Sequence, residues 1–216
     1  MRPELRALFP ESVAYAELMD PAQAEPLFLE EEAHIARAVD KRRHEFALGR
    51  TCARRALDQL GLPRTALPAH ADRSVQWPAQ ALGSITHADG FCAAVAARRS
   101  DLRGLGIDAE VRGRVTPKLW SHIATEREIG WFQATDSAAE ANERATVLFS
   151  AKEAFYKAQY CITRTFVGFH EVELSFEGAQ FQVRLVGEVA RLFPEGARFP
   201  GNFALLGEHV LTGVVI

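Results

Sequence analysis

The sequence predicts an α+β protein of two similar lobes, each a long helix followed by antiparallel strands. Three observations carry this. A helical pattern runs from Glu30 to Leu60, and a second spans Arg144 to Tyr160. Each is followed by short apolar runs broken at turn residues. The echo lies in the order of elements and not in residue identity. It places any shared site in the cleft between the halves.

Each element has its own signal. Pro3, Pro10, Pro21 and Pro26 restrict the first thirty residues to short extended pieces and turns. From Glu30, the residues Ile35, Val39, Phe46, Ala53, Leu57 and Leu60 fall on one face at ~100° per residue, and Gly61 with Pro63 ends the helix. After a proline-rich loop, SITH and FCAAVAA flank Ala88-Asp89-Gly90, a hairpin signal. The charged stretch from Arg98 to Gly104 marks the boundary, giving an N-terminal lobe of 1–103 and a C-terminal lobe of 104–216. The second lobe opens with the strand-like LGIDAE and a mixed segment from Val111 to Asn142. After its helix come the strands VELSF, FQVRLV, NFALL and HVLTGVVI.

Composition narrows the function classes. The 216 residues suffice for one large or two small domains, and 48% are hydrophobic. A net charge of −3 argues against a general nucleic-acid binder. The longest apolar stretch, Phe91 to Ala97, is too short to span a bilayer, and MRPELRALFP carries no secretory h-region. Cys52, Cys92 and Cys161 are odd in number and widely spaced, so neither a disulfide framework nor a metal knuckle is expected. These features predict a soluble, reduced, cytoplasmic protein.

Three groups of residues carry chemistry. In GIDAE, strand alternation turns Asp108 and Glu110 to one side, where two carboxylates repel unless a cation or protons intervene. Alone, this also describes a solvated strand end. In FSAKEAFYK, Glu153 and Lys157 form an i,i+4 pair, which alone describes a surface salt bridge. Yet Phe149, Phe155 and Tyr156 make the same helix largely apolar, so part of it is buried. On the first long helix Arg43, Arg50 and Arg54 share a narrow arc beside the apolar stripe. They fit either snorkelling arginines or a positive groove for phosphates. Together, three carboxylates, a lysine and an arginine group suit Mg²⁺ and a polyphosphorylated ligand.

GIDAE followed by FSAKEAFYKA resembles the paired signature of the 4′-phosphopantetheinyl transferases, which move the phosphopantetheine arm of coenzyme A onto a carrier-protein serine. Upstream, RRHEFALGRTCARRAL and WPAQALGSITH resemble the siderophore-synthase branch, the enterobactin-synthase component D type. The resemblance runs from about Leu27 to the C-terminal HVLTGVVI. It implies two pseudo-symmetric α+β lobes in a monomer, the active site between them, and an acyl, peptidyl or aryl carrier as partner. By position it makes Asp108, Glu110 and Glu153 the Mg²⁺ ligands, with Asp108 also at the coenzyme A site. It makes Glu153 the base for the carrier serine and Lys157 the partner of the leaving 3′,5′-ADP. Lys152 would touch the coenzyme A phosphates, Arg42 and Arg50 would grip the 3′-phosphate side, and Thr86 and His87 would meet ribose and phosphate. The helical phase favours Arg43 over Arg42, a disagreement that a kink before His44 would resolve.

The sequence departs from the family pattern in AHADRSVQWPAQAL, where Arg73 and Val75 replace a glycine-rich turn and a proline, and Arg73 is expected to supply a charged adenine-side contact. A non-catalytic coenzyme A-binding protein and a Mg²⁺-dependent nucleotide phosphodiesterase are the competing readings. Finally, VRGRVTPKLW has three cations and no acid, so Arg112, Arg114 and Lys118 would rim a docking patch for an acidic carrier. Trp120, Ile123, Trp131 and Phe132 fit either that patch or the lobe's core.

Overall fold

A computed structural model describes residues 2–216 of the chain. Two antiparallel sheets and two long helices form it. The first sheet has the order β1-β3-β2, with β1 at Ala14–Leu18, β2 at Ala81–Ala88 and β3 at Phe91–Arg98. The second has the order β4-β8-β7-β6-β5. Its strands are β4 Leu105–Val111, β5 Val172–Glu177, β6 Gln180–Leu185, β7 Phe199–Leu206 and β8 His209–Val215. The predicted α+β class and every predicted strand are present; β1 emerged from a stretch legible only as extended. No helix among the described residues is long and apolar enough to cross a membrane.

The helices before the site are α1 (Pro3–Arg6), α2 (Leu29–Glu32) and α3 (Asp40–Gln59). The continuous helix expected from Glu30 is therefore broken between α2 and α3. Val39, assigned to the core stripe, is 73% exposed, whereas Ile35 is buried from its own turn. Val39 is extended (φ −67°, ψ 157°), so the helical phase restarts at Asp40. From there Cys52, Ala53, Ala56 and Leu57 bury one face of α3 against the first sheet. Gly61, at φ 67°, closes the helix end in the left-handed region that favours glycine.

The mixed segment resolves into α4 (Pro117–Ile123) and α5 (Glu126–Phe132), and α6 runs from Ala138 to Thr163. Ala151, Ala154 and Ala158 give α6 a flat, fully buried face. It lies so close to β4 that a Cβ on Gly106 would stand 1.9 Å from the Ala154 carbonyl oxygen. Glycine on the strand and alanine on the helix thus fix their separation.

The two sheets meet at β2 and β4 without sharing a ladder. β4 is an edge strand, whose unpaired amides need other acceptors. The Ser84 hydroxyl accepts from the Ile107 amide (3.2 Å), and the Thr86 hydroxyl accepts from the Ala109 amide (2.9 Å). Two β2 side chains thus stand in for a missing strand. Leu5, Leu8 and Phe9 share a core with residues of both sheets, including Val95, Ile107 and Leu211.

Candidate active site

Asp108 lies in this seam, in the middle of β4, and is 5% exposed. Lys157 Nζ donates to its Oδ1 at 2.7 Å and to the Ile107 carbonyl at 3.0 Å. Ser150 Oγ donates to Oδ2 at 2.9 Å, and Thr86 Oγ1 donates to Oδ1 at 3.3 Å. One carboxylate thereby joins β2, β4 and α6. The spacing explains it: Ser150, Glu153 and Lys157 stand at i, i+3 and i+7, on one face of α6. Ser150 is a site residue that sequence reasoning passed over, although it sits within FSAKEAFYK. Thr212 braces it from β8, donating to the Ser150 carbonyl at 2.9 Å.

Glu110 and Glu153 complete the acidic group. Burial raises the pKa of Glu110 to about 7, Asp108's charge adds to this, and Arg114 at 3.4 Å opposes it. Burial also raises Glu153, with Lys157 opposing and Asp108 reinforcing. These carboxylates feel one another's charge, as the strand alternation predicts. Among the described residues, however, no three His, Cys, Asp or Glu side chains converge into a set that encloses a metal ion.

Two cavities adjoin this group. One of about 410 Å³ is lined by Arg73, Trp77, Gly83, Ser84, Tyr156 and Lys157, among others. Its floor requires glycine at 83, because a Cβ there would lie 2.6 Å from the Trp77 ring and 2.5 Å from the Val95 carbonyl. The other, about 160 Å³, is bordered by Glu153, Tyr156, Phe166 and Phe169. Tyr156 belongs to both.

Arg73 sits at φ 69° in the left-handed region, at the position where a glycine was expected. The loop holds it there. Asp72 Oδ1 accepts from the Ser74 amide at 2.9 Å and hydroxyl at 2.6 Å, and the Tyr160 hydroxyl donates to Asp72 Oδ2 at 2.7 Å. Those bonds, Ser74's first, hold the Asp72 carboxyl well below the usual range.

The arginines separate into different roles. Arg42 is exposed and donates to His87 Nε2 at 3.2 Å, with Glu45 3.7 Å away. Burial lowers the His87 pKa, against Glu45's pull and with that of Arg42. Arg43 instead donates to the Ile35 carbonyl at 2.9 Å. Arg42 is therefore the arginine beside His87; α3 runs unbroken through His44, so the expected kink is absent, and Arg43 is instead turned away by its bond to the Ile35 carbonyl. Arg50 is 5% exposed, lies 4.1 Å over the Phe46 ring and donates Nε to the Leu67 carbonyl at 2.5 Å. Burial lowers its pKa to about 10. Among the described residues no carboxylate forms an ion pair with it, because its neighbour Glu31 is taken by Arg54 at 2.9 Å.

Other expectations are corrected. Lys152 does not reach a phosphate: it is 2% exposed, and its ammonium donates to Glu128 Oε2 and to the carbonyls of Ile123 and Phe169, all within 2.9 Å. Three donors meet three acceptors, so the group is spent. The hydroxyl of Thr86 is likewise committed to Ala109 and Asp108 rather than to ribose or phosphate. Trp120, Ile123 and Phe132 are core residues, and Trp131 stacks on Phe176 with centroids 4.4 Å apart. In the expected basic rim, Arg112 pairs with Glu143 at 2.5 Å and Arg114 with Glu110. Lys118 and Leu119 remain exposed on α4.

Comparison with known proteins agrees with this geometry. Residues 30–97 match the family described as the 4′-phosphopantetheinyl transferase N-terminal domain, and residues 104–211 match the 4′-phosphopantetheinyl transferase superfamily. The chain is 40% identical to 4′-phosphopantetheinyl transferase Svp of Streptomyces mobaraensis, over 74% of this chain and 66% of that protein. It is 36% identical to 4′-phosphopantetheinyl transferase Npt of Nocardia iowensis, over 80% and 77%. With 4′-phosphopantetheinyl transferase PptT of Mycobacterium tuberculosis it shares 41% identity, over 77% and 73%. An acidic group joined to a lysine at the seam of two sheets, with that lysine on the wall of a 410 Å³ cavity, thus sits in a chain that belongs to the 4′-phosphopantetheinyl transferase superfamily.

Proposed function

We propose that this protein transfers the 4′-phosphopantetheine group of coenzyme A to a serine of a carrier protein, releasing 3′,5′-ADP. The observation that carries the reading is the Asp108–Lys157 pair. Lys157 of this pair lines the 410 Å³ cavity, Glu153 borders the 160 Å³ one, and Glu110 feels the charge of Asp108 and Glu153. In this reading the N-terminal lobe, 1–103, holds the nucleotide and the C-terminal lobe, 104–216, supplies the acids.

The reaction needs charge neutralised on a pyrophosphate and a proton removed from a hydroxyl. Glu153, its pKa raised by burial, accepts the proton of the carrier serine. The serine oxygen bonds to the phosphorus that carries pantetheine, and the bond from that phosphorus to the oxygen of 3′,5′-ADP breaks. Lys157, at the wall of the larger cavity, neutralises the departing phosphate. Arg42, Arg50 and His87 supply positive charge and hydrogen bonds for the nucleotide's phosphates. The loop at Arg73 faces the adenine side.

The acidic residues suit Mg²⁺ by donor chemistry. They offer hard oxygens, and this ion is commonly held by one or two carboxylates with water and substrate phosphates completing its shell, so a closed protein cage is not required. One or two of Asp108, Glu110 and Glu153 would hold it. Bound there, the ion supplies charge neutralisation on the pyrophosphate oxygens.

An acidic carrier is the partner, received near Lys118 and Leu119. The segments RRHEFALGRTCARRAL and WPAQALGSITH support the siderophore-synthase branch. A monomer acting in the cytoplasm completes the reading. Incubation with coenzyme A, Mg²⁺ and an apo carrier tests it. Carrier modification with equimolar 3′,5′-ADP is expected. Nucleotide hydrolysis with the carrier unchanged, or binding with no product, would overturn it in favour of a phosphodiesterase or a coenzyme A-binding protein.

A further inference from the structure

Glu31 is fully buried in α2, outside every motif of the site. A buried carboxylate is costly unless several donors satisfy it. Glu31 has four. Arg54 NH1 donates to both oxygens at 2.9 Å, the Phe28 amide donates to Oε2 at 2.9 Å, and the Leu67 amide donates to Oε1 at 2.8 Å.

The Leu67 bond leads to the nucleotide grip. The Leu67 carbonyl accepts Arg50 Nε, so a single residue carries Glu31 on its amide and Arg50 on its carbonyl. Phe46 covers the guanidinium at 4.1 Å. These contacts fix Arg50 at Nε and at one ring face, while its terminal nitrogens donate to no protein acceptor among the described residues. A second effect is electrostatic. Arg50 and Arg54 are one turn apart on α3, and Arg54's charge helps lower the pKa of Arg50. Glu31's charge offsets that repulsion, and because Glu31 pairs with Arg54, Arg50 has no carboxylate partner among the described residues.

We propose that Glu31 is a positioning residue for phosphate recognition: through Leu67 and Arg54 it holds Arg50 ready for the 3′-phosphate of coenzyme A. This rests on the reading that the chain binds coenzyme A with Arg50 at that phosphate. The consequence is selectivity, because only coenzyme A, and not dephospho-coenzyme A, presents the extra dianion.

Affinities for coenzyme A and dephospho-coenzyme A, measured by calorimetry, test this in the wild type and in Glu31→Gln, Arg50→Ala and the double variant. A glutamine cannot keep all four bonds, since its amide nitrogen, in place of either oxygen, meets Arg54 NH1 and one backbone amide. The wild type should prefer coenzyme A by roughly tenfold or more. Arg50→Ala should erase the preference. Glu31→Gln should lose most of it with dephospho-coenzyme A binding little changed, and the double variant should lose no more than Arg50→Ala. If Glu31→Gln does not fold, Arg54→Lys takes its place, because it keeps the charge but loosens the carboxylate. A folded variant with wild-type preference, or with equal losses for both ligands, would overturn the proposal and leave Glu31 a structural staple. Equal affinities in the wild type itself would instead overturn the reading of Arg50, and this proposal with it.

Discussion

Asp108 accepts from Lys157, Ser150 and Thr86, so its negative charge is anchored at one point between two sheets. Asp108→Asn keeps the side chain's shape and removes the charge. We expect a folded protein with a lowered melting temperature and turnover lowered by ~10²-fold or more, read as kcat at a temperature well below that protein's own Tm. Wild-type turnover in Asp108→Asn would remove the residue from the chemistry. Lys152, one residue from the proposed base, should behave differently. Lys152→Met leaves Glu128 buried without its partner, which costs about 3–5 kcal/mol and lowers Tm by roughly 10 °C. KM for coenzyme A should not change in the folded enzyme. Lys152→Met combined with Glu128→Leu should recover much of the stability, as removing both charges leaves nothing uncompensated. A raised KM in Lys152→Met with Tm intact would return Lys152 to the phosphates. These two residues mark what the sequence makes legible. Asp108 and Glu110 were readable because alternation is a local rule, and Glu153 with Lys157 because helical spacing is another. The role of Lys152 was not, because its partner Glu128 lies on a different helix, and no local pattern announces that pair.

At the scale of elements, the site depends on how closely α6 approaches β4. Gly106→Ala would place a Cβ against the Ala154 carbonyl, backbone against backbone, so no side chain can move aside to make room. The helix must shift, carrying Glu153 and Lys157 away from Asp108. We expect a loss of about 1–3 kcal/mol or more and a drop in kcat larger than in substrate affinity. Unchanged Tm and kcat would show that the packing tolerates the methyl group. Strand and helix identity were legible here from periodicity, but this contact was not, since glycine in a strand reads equally as a bulge or a close approach. The break before Asp40 was missed for a related reason. Ile35 is buried and Phe46 is buried, so a single apolar phase drawn through both skips the extended residue between them.

For the whole molecule, two long-range properties decide function: how the carrier arrives and whether the group moves. The protein's net charge of −3 would repel an acidic carrier, so attraction has to be local. With Arg112 tied to Glu143 and Arg114 to Glu110, Lys118 is the cation of that stretch left for the task. Lys118→Glu should raise KM for an acidic carrier, leave coenzyme A affinity intact and flatten the fall of kcat/KM with salt. Wild-type kinetics toward the carrier at every ionic strength would place docking elsewhere. Whether the group moves at all is the central claim, and intact-mass measurement of an apo carrier answers it most directly. With wild-type enzyme, coenzyme A and Mg²⁺, the carrier should gain one phosphopantetheinyl group. It should gain none when its serine is replaced, when the enzyme is Asp108→Asn over the same interval, or when EDTA is in excess. A carrier whose mass stays unchanged with the wild-type enzyme, across several acidic carriers, would contradict the account.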